Sequence, residues 1–142
     1  DCNAYPENEY LFQSKNPKRF LEFAKEFPPK TMLATTIEGT RGIEIHVKHV
    51  HRAGWLKEAK EKIGCKTLLS IEPIFQFNFN WLVENVKIAK PDLVAIGADS
   101  KGHGLVEPIT AEVMELIDWL KKEGYKVILK ENLKRIIGGG RK

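Results

Sequence analysis

Cysteine is scarce in this chain. Cys2 and Cys65 are the only two among 142 residues. Two thiolates cannot by themselves make a four-thiolate zinc site or hold an iron–sulfur cluster. They imply no secreted disulfide framework either. Long apolar runs are lacking too: none reaches the roughly 18 residues that a membrane helix needs. The opening stretch, DCNAYPENEY, is polar and has no basic-then-apolar segment of the kind that marks a signal peptide. The expected location is therefore the cytoplasm. The chain does not begin with methionine, and a fragment, a processed product and a trimmed form are all open readings. Glutamine occurs only at 13 and 76 beside abundant lysine and glutamate, a balance that fits a thermophilic source.

Charge of one sign does not dominate. Lys plus Arg number 23 against 19 Asp plus Glu, a net +4. The charges are interleaved, as in LKEAKEK, which suits a solvated helix face. No recognised nucleic-acid motif accompanies them. What is present is 42% hydrophobic and 30% charged residues, enough for one globular domain with a core. Residues 1–142 are read as a single α/β domain, with 138–142 as a flexible tail.

Five short apolar runs alternate with helical patterns. Tyr10-Leu11-Phe12 is the first. Asn16-Pro17 then opens a helix over 17–26, with Phe20, Phe23, Ala24 and Phe27 on one face. Thr31 to Ile37 is the second run. In 40–51, Ile43, Ile45 and Val47 alternate and suggest a short extra strand. Residues 53–63 read as a helix capped by Gly64. The third run is Lys66 to Ile71, followed by a helix at 79–89. The fourth is Asp92 to Ile96, followed by a helix at 109–123 that Gly124 closes. The fifth is Tyr125 to Leu129. Strands alternating with helices of this length mean βαβ units and a parallel sheet. The runs TMLATTI, TLLSI, LVAIG and VIL are nearly all apolar or small, as strands covered on both faces should be. A doubly wound domain and part of a (β/α) barrel fit this pattern equally.

Parallel α/β folds bind ligands at the carboxyl ends of their strands. Every run here exits into polar residues: Lys15 after the first, Thr36 and Glu38 after the second, Ser70 and Glu72 after the third. Asp99 and Lys101 follow the fourth, Lys130 and Asn132 the fifth. TTIEG and LSIEP have like contexts, with a hydroxyl residue and a carboxylate two positions apart. Strand alternation points both members of such a pair one way. The pairs can grip ribose hydroxyls, bind a cation or serve as acid and base. Equally, each glutamate can pair with Lys15, Lys101 or Lys130 and close the rim. Three lysines suit a small anionic ligand, and Lys130 is the best placed for a Schiff base. His46, His49 and His51 make an HVKHVH cluster of a type that can bind zinc or nickel; a solvated loop or strand is the plainer reading. His103 lies in KGHGL, a glycine-rich loop without the order of a P-loop. Trp55, Trp81 and Trp119 read as packing residues.

YLFQSKNPKRF resembles a strand–helix segment of a radical SAM-like family found in phages, bacteria and archaea, whose members carry an N-terminal three-cysteine motif. TTIEG, LSIEP, AIGADSKG and VILKENL stand in the order of that family's C-terminal half. The likeness covers about residues 10–133. It implies a partial (β/α) barrel whose missing N-terminal half would hold a [4Fe–4S] centre and S-adenosylmethionine; the cysteine motif itself is absent here. By position, Ser70 and Glu72, or Thr36 and Glu38, would lie near the cofactor's ribose and methionine. Asp99, Lys101 and Lys130 would face the substrate. Such a chain alone is not expected to be active. A standalone binding module with an anionic-ligand site is the other reading, and a lyase or aldolase-type half-barrel using Glu72 and Lys130 a third. A half-barrel exposes strand edges at 10–14 and 126–130. The missing half, a second copy or the segment 40–50 would cover them.

Overall fold

Strand order separates the two architectures that periodicity leaves open. The computed structural model describes residues 1–39 and 48–138. Its strands are β1 (Tyr10–Gln13), β2 (Thr31–Thr36), β3 (Lys66–Ile71), β4 (Leu93–Ile96) and β5 (Lys126–Leu129). They form one sheet in the order β1-β2-β3-β4-β5, every neighbouring pair parallel. A doubly wound sheet reverses direction after its first strands and carries helices on both faces. Here each strand adds on the same side of the last. This is the arrangement of a partial (β/α) barrel, open at β1 and β5.

The helices are α1 (Lys18–Glu22), α2 (His49–Ile63), α3 (Phe79–Ala89), α4 (Thr110–Lys122) and α5 (Lys134–Ile137). The main core joins Leu33, Ile37, Leu69, Ile71, Val94 and Ile96 from the sheet to Leu56, Leu82, Val86, Val113 and Leu116 from the helices. Each such side chain taken from water contributes roughly 1.5–3 kcal/mol. The alternate strand positions Ala34, Leu68 and Ala95 form a separate small cluster, with Met32 and Leu93 against it. Among the described residues no helical side chain belongs to that cluster. The central strands are thus apolar on both faces, as their sequences imply, and the described helices cover one of them.

Local signals explain most boundaries. Gly64 ends α2 at φ 73, and its N–H bonds to Lys60 O at 2.9 Å, the left-handed cap the sequence suggests. Asn78 caps α3 by accepting from Trp81 N at 3.0 Å. Glu112 in the first turn of α4 accepts from Ile109 N at 3.0 Å. Two helices depart from expectation. α1 stops at Glu22 rather than 26, and the turn beyond it brings the Phe27 ring to 5.1 Å from Phe12 and 6.0 Å from Phe20. α2 starts at His49, four residues before the expected 53, because Arg52 is drawn inward at its first turn. Gly138 caps α5, its N–H donating to Lys134 O. The suggested strand at Ile43, Ile45 and Val47, residue His46, and the tail beyond Gly138 lie outside the described residues.

Candidate functional site

Register aligns the strand ends. Thr36 pairs with Ser70, Ser70 with Ala95 and Ala95 with Ile128. Two residues further along the chain come Glu38, Glu72, Gly97 and Lys130. The exits of β1 to β5 therefore meet at one end of the sheet. All the polar exit residues noted from sequence gather there, although they fall into three groups with different tasks.

Glu38 closes the first group. Its side chain is 0% exposed and is engaged by Lys15, by His49 Nε2 at 2.8 Å and by Arg52 Nη1 at 3.5 Å. Arg52, 1% exposed, also donates to Thr36 O at 2.8 Å. Burial pushes the Glu38 carboxyl up. The hydrogen bonds from His49 and Lys15, with the charges of Lys15 and Arg52, outweigh it and hold the group below its ordinary value. Alternation was expected to point Thr36 and Glu38 the same way. The pleat ends with β2 at Thr36, and Glu38 is instead held by two residues of α2. Thr36 faces the cleft side, its hydroxyl accepting from Gln13 Nε2 at 2.9 Å. Glu38 is thus the buried centre of an ion-pair cluster that includes Lys15, a pairing its sequence context allows.

Glu72 anchors the second group. It remains partly exposed, with Lys130 Nζ 3.4 Å from Oε2 and Asn132 Nδ2 3.4 Å from Oε1. The peptide from Glu72 to Pro73 is cis. Asn132 is mainly a splint. Its Oδ1 accepts from Ala98 N at 3.1 Å and its Nδ2 donates to Ala98 O at 2.9 Å. That pairing carries the β4–β5 contact past the last strand residues. Ser70, 3% exposed, lies in the row between Thr36 and Ala95.

The third group is the loop after β4. Asp99 Oδ1 accepts from Lys101 N at 3.0 Å, and Oδ2 from His103 N at 2.7 Å. His103 Nδ1 lies 2.7 Å from Asp99 Oδ1. Desolvation opposes ionisation of Asp99, but these bonds and the nearby imidazole bring it down to about 2. Arg135 holds the loop from behind, donating to Asp99 O at 2.7 Å while pairing with Glu107. The His103 ring stands edge-on to Phe75, with centroids 6.1 Å apart.

A cleft of about 280 Å³ lies between the last two groups. Gln13, Lys15, Thr36, Glu72, Lys101 and His103 are among its walls. Larger hollows exist elsewhere, one of about 340 Å³ beside Glu9, Lys30 and Cys65. That one sits where β2 and β3 begin, the end that parallel α/β folds do not use for ligands. The strand-exit cleft has the convergent polar groups as well.

The sequence does not single out Arg52, Gln13, the pairing of His49 with Glu38 or the His103–Asp99 contact. His49 and His51 were expected in a solvated loop or strand; both lie in the first turn of α2. They diverge, His49 to Glu38 and His51 to the Trp55 ring at 5.6 Å. The spacing of Asp99 and His103 across a glycine-rich loop was a legible signal for the second contact.

Comparison with protein-family models, curated proteins and solved structures finds no match to this chain. The [4Fe–4S] centre implied by the family resemblance needs three thiolates. The two cysteines present are Cys2, in a short turn before β1, and Cys65, just before β3. Neither lines the cleft, so the residues of this chain do not fit that group.

Proposed function

We propose that this chain forms the later strands of a radical SAM-like partial barrel and that its strand-exit cleft seats a small anionic ligand. The observation that carries the reading is the convergence of Lys15, Glu72 and Lys101 on one cleft, at the carboxyl ends of strands laid down in sequential order. The half that would precede it supplies the iron–sulfur centre and, with it, S-adenosylmethionine. Within this chain Glu72 accepts hydrogen bonds from ligand hydroxyl or ammonium groups, and Lys101 meets the anionic end. Thr36 and Gln13 form the polar floor.

The open edges support the same picture. Leu11 in β1 is 56% exposed and Ile128 in β5 43%, both in strands at the edges of the sheet that the described residues form. A preceding half, or a second copy, covers them. The lyase alternative needs Lys130 as a buried amine, and Lys130 is instead half exposed beside Glu72, which favours the binding reading.

The test is equilibrium binding of small phosphates, carboxylates and S-adenosylmethionine to the chain, its Glu72→Gln and its Lys101→Gln variants. Loss of about tenfold in affinity on either substitution is expected, equivalent to about 1.4 kcal/mol. Ligands bound equally by all three proteins would contradict the assignment.

A further inference from the structure

Asp99 and His103 form a unit of their own on the loop after β4. Both carboxylate oxygens of Asp99 are occupied, by Lys101 N, His103 N and His103 Nδ1. Arg135 fixes the Asp99 backbone through its carbonyl. The imidazole is therefore held at one nitrogen by an ionised carboxylate that is itself pinned, and its ring edge rests on Phe75. An imidazole so held presents its other nitrogen, Nε2, in a fixed direction. His103 is one of the residues lining the cleft. A histidine on a solvated loop has no need of such support.

Charge gives the ring a task. Lys15 and Lys101 line the cleft against Glu72 and Asp99, so the cations and carboxylates balance while His103 is neutral. Among the side chains that line the cleft, a proton on His103 tips this balance to net positive. The charged groups that line the cleft with the ring are Asp99 and Lys101 from its own loop, Glu72 from the end of β3 and Lys15 from the exit of β1. The Arg135–Glu107 pair stands behind Asp99.

We infer that His103 is the proton-dependent donor of an oxyanion site, in which a phosphate or carboxylate group of a small molecule sits between its Nε2 and the Nζ of Lys101. The inference rests on the anionic-ligand reading of the cleft and adds the residue that grips the anion. Asp99 is the positioning residue. It accepts from Nδ1–H and leaves Nε2–H of the imidazolium to donate to the ligand, a charge-assisted bond stronger than a neutral one.

The probes are sulfate, as a dianion whose charge is constant across the range used, and acetate, as a carboxylate. Each is titrated into the chain at pH 5.5 and pH 8.5 and followed by the amide resonances of residues 99–104 and the His103 ring signals. Sulfate affinity is expected to fall at least about tenfold from pH 5.5 to 8.5. His103→Gln should lower affinity at pH 5.5 by about the same factor and abolish the pH dependence. Asp99→Asn, which frees the ring without removing it, should weaken binding severalfold and leave the pH dependence in place. Tighter binding of sulfate than acetate assigns a phosphate-type group, the reverse a carboxylate. Sulfate bound in the cleft with one affinity at both pH values, or unaffected by His103→Gln, overturns the role of His103 and leaves the cleft reading standing. Binding of neither anion at either pH overturns both.

Discussion

The Glu72 carboxylate lies directly over Gly97. A Cβ added at 97 would sit 2.6 Å from both Cδ and Oε1 of Glu72, closer than side-chain carbons come to anything. Glycine at the exit of β4 is what allows a carboxylate from β3 to cross toward Lys130 and Asn132.

Gly97→Ala should therefore move Glu72 at a cost of about 1 kcal/mol or less, because what it displaces is the end of a flexible, partly exposed side chain. Combined with Glu72→Ala, the penalty should shrink, since the two substitutions share one contact. Chemical denaturation of the two single variants and the double variant measures the coupling. Simple additivity would show that the clash is relieved elsewhere.

Removing the buried carboxylate at 38 takes an anionic partner from Lys15, His49 and Arg52. Glu38→Ala is expected to cost about 3–5 kcal/mol, the range for breaking one side of a buried ion pair. Glu38→Gln should cost less because it keeps the shape and one acceptor. A denaturation midpoint for Glu38→Ala within error of the parent would remove Glu38 from its place at the centre of the cluster.

The same residue sets an acid limit. Its folded-state carboxyl lies below the ordinary value of 4.5. The stability that this shift supplies is therefore present above pH 4.5 and is lost as pH falls through the lower, folded-state value. Stability curves of the parent and Glu38→Gln should differ most above pH 5 and converge in stronger acid. Parallel curves down to pH 3 would place the titration elsewhere.

Arg135 ties the 99–104 loop to α5 through Asp99 O and Glu107. Arg135→Ala should leave global stability within about 1 kcal/mol, because its ion pair is largely solvent-exposed. Amide exchange in residues 99–104 should speed up selectively. Uniform acceleration across β3 and β4 would mean that the side chain supports the sheet itself.

Much of this molecule is legible in its sequence, with identifiable gaps. Continuous apolar runs such as TLLSI mark the central strands, and Gly64 and Asn78 mark helix ends by backbone chemistry that acts locally. Strand order is not local. Nothing in TMLATTI or LVAIG says on which side the next strand adds, so the open barrel and the doubly wound sheet look alike until the chain is folded. At the site, polar exits are visible as a set, but their partition is not. Glu38 and Glu72 share a context and part company because α2 brings His49 and Arg52 to one, while Gly97 gives the other room to cross. The α2 start was misplaced for the same reason: Arg52 is a charged residue buried by a partner 14 positions earlier, which helical periodicity reads as a solvent-facing residue.

The most direct measurement of the central claim is amide shift mapping across the whole chain during titration with a mixed panel of small phosphates and carboxylates. The account predicts perturbations confined to the strand exits, at residues 13–15, 36, 72–73 and 98–103. Perturbations at the opposite end of the sheet, around Glu9, Lys30 and Cys65, or no perturbation by any member of the panel, would contradict it.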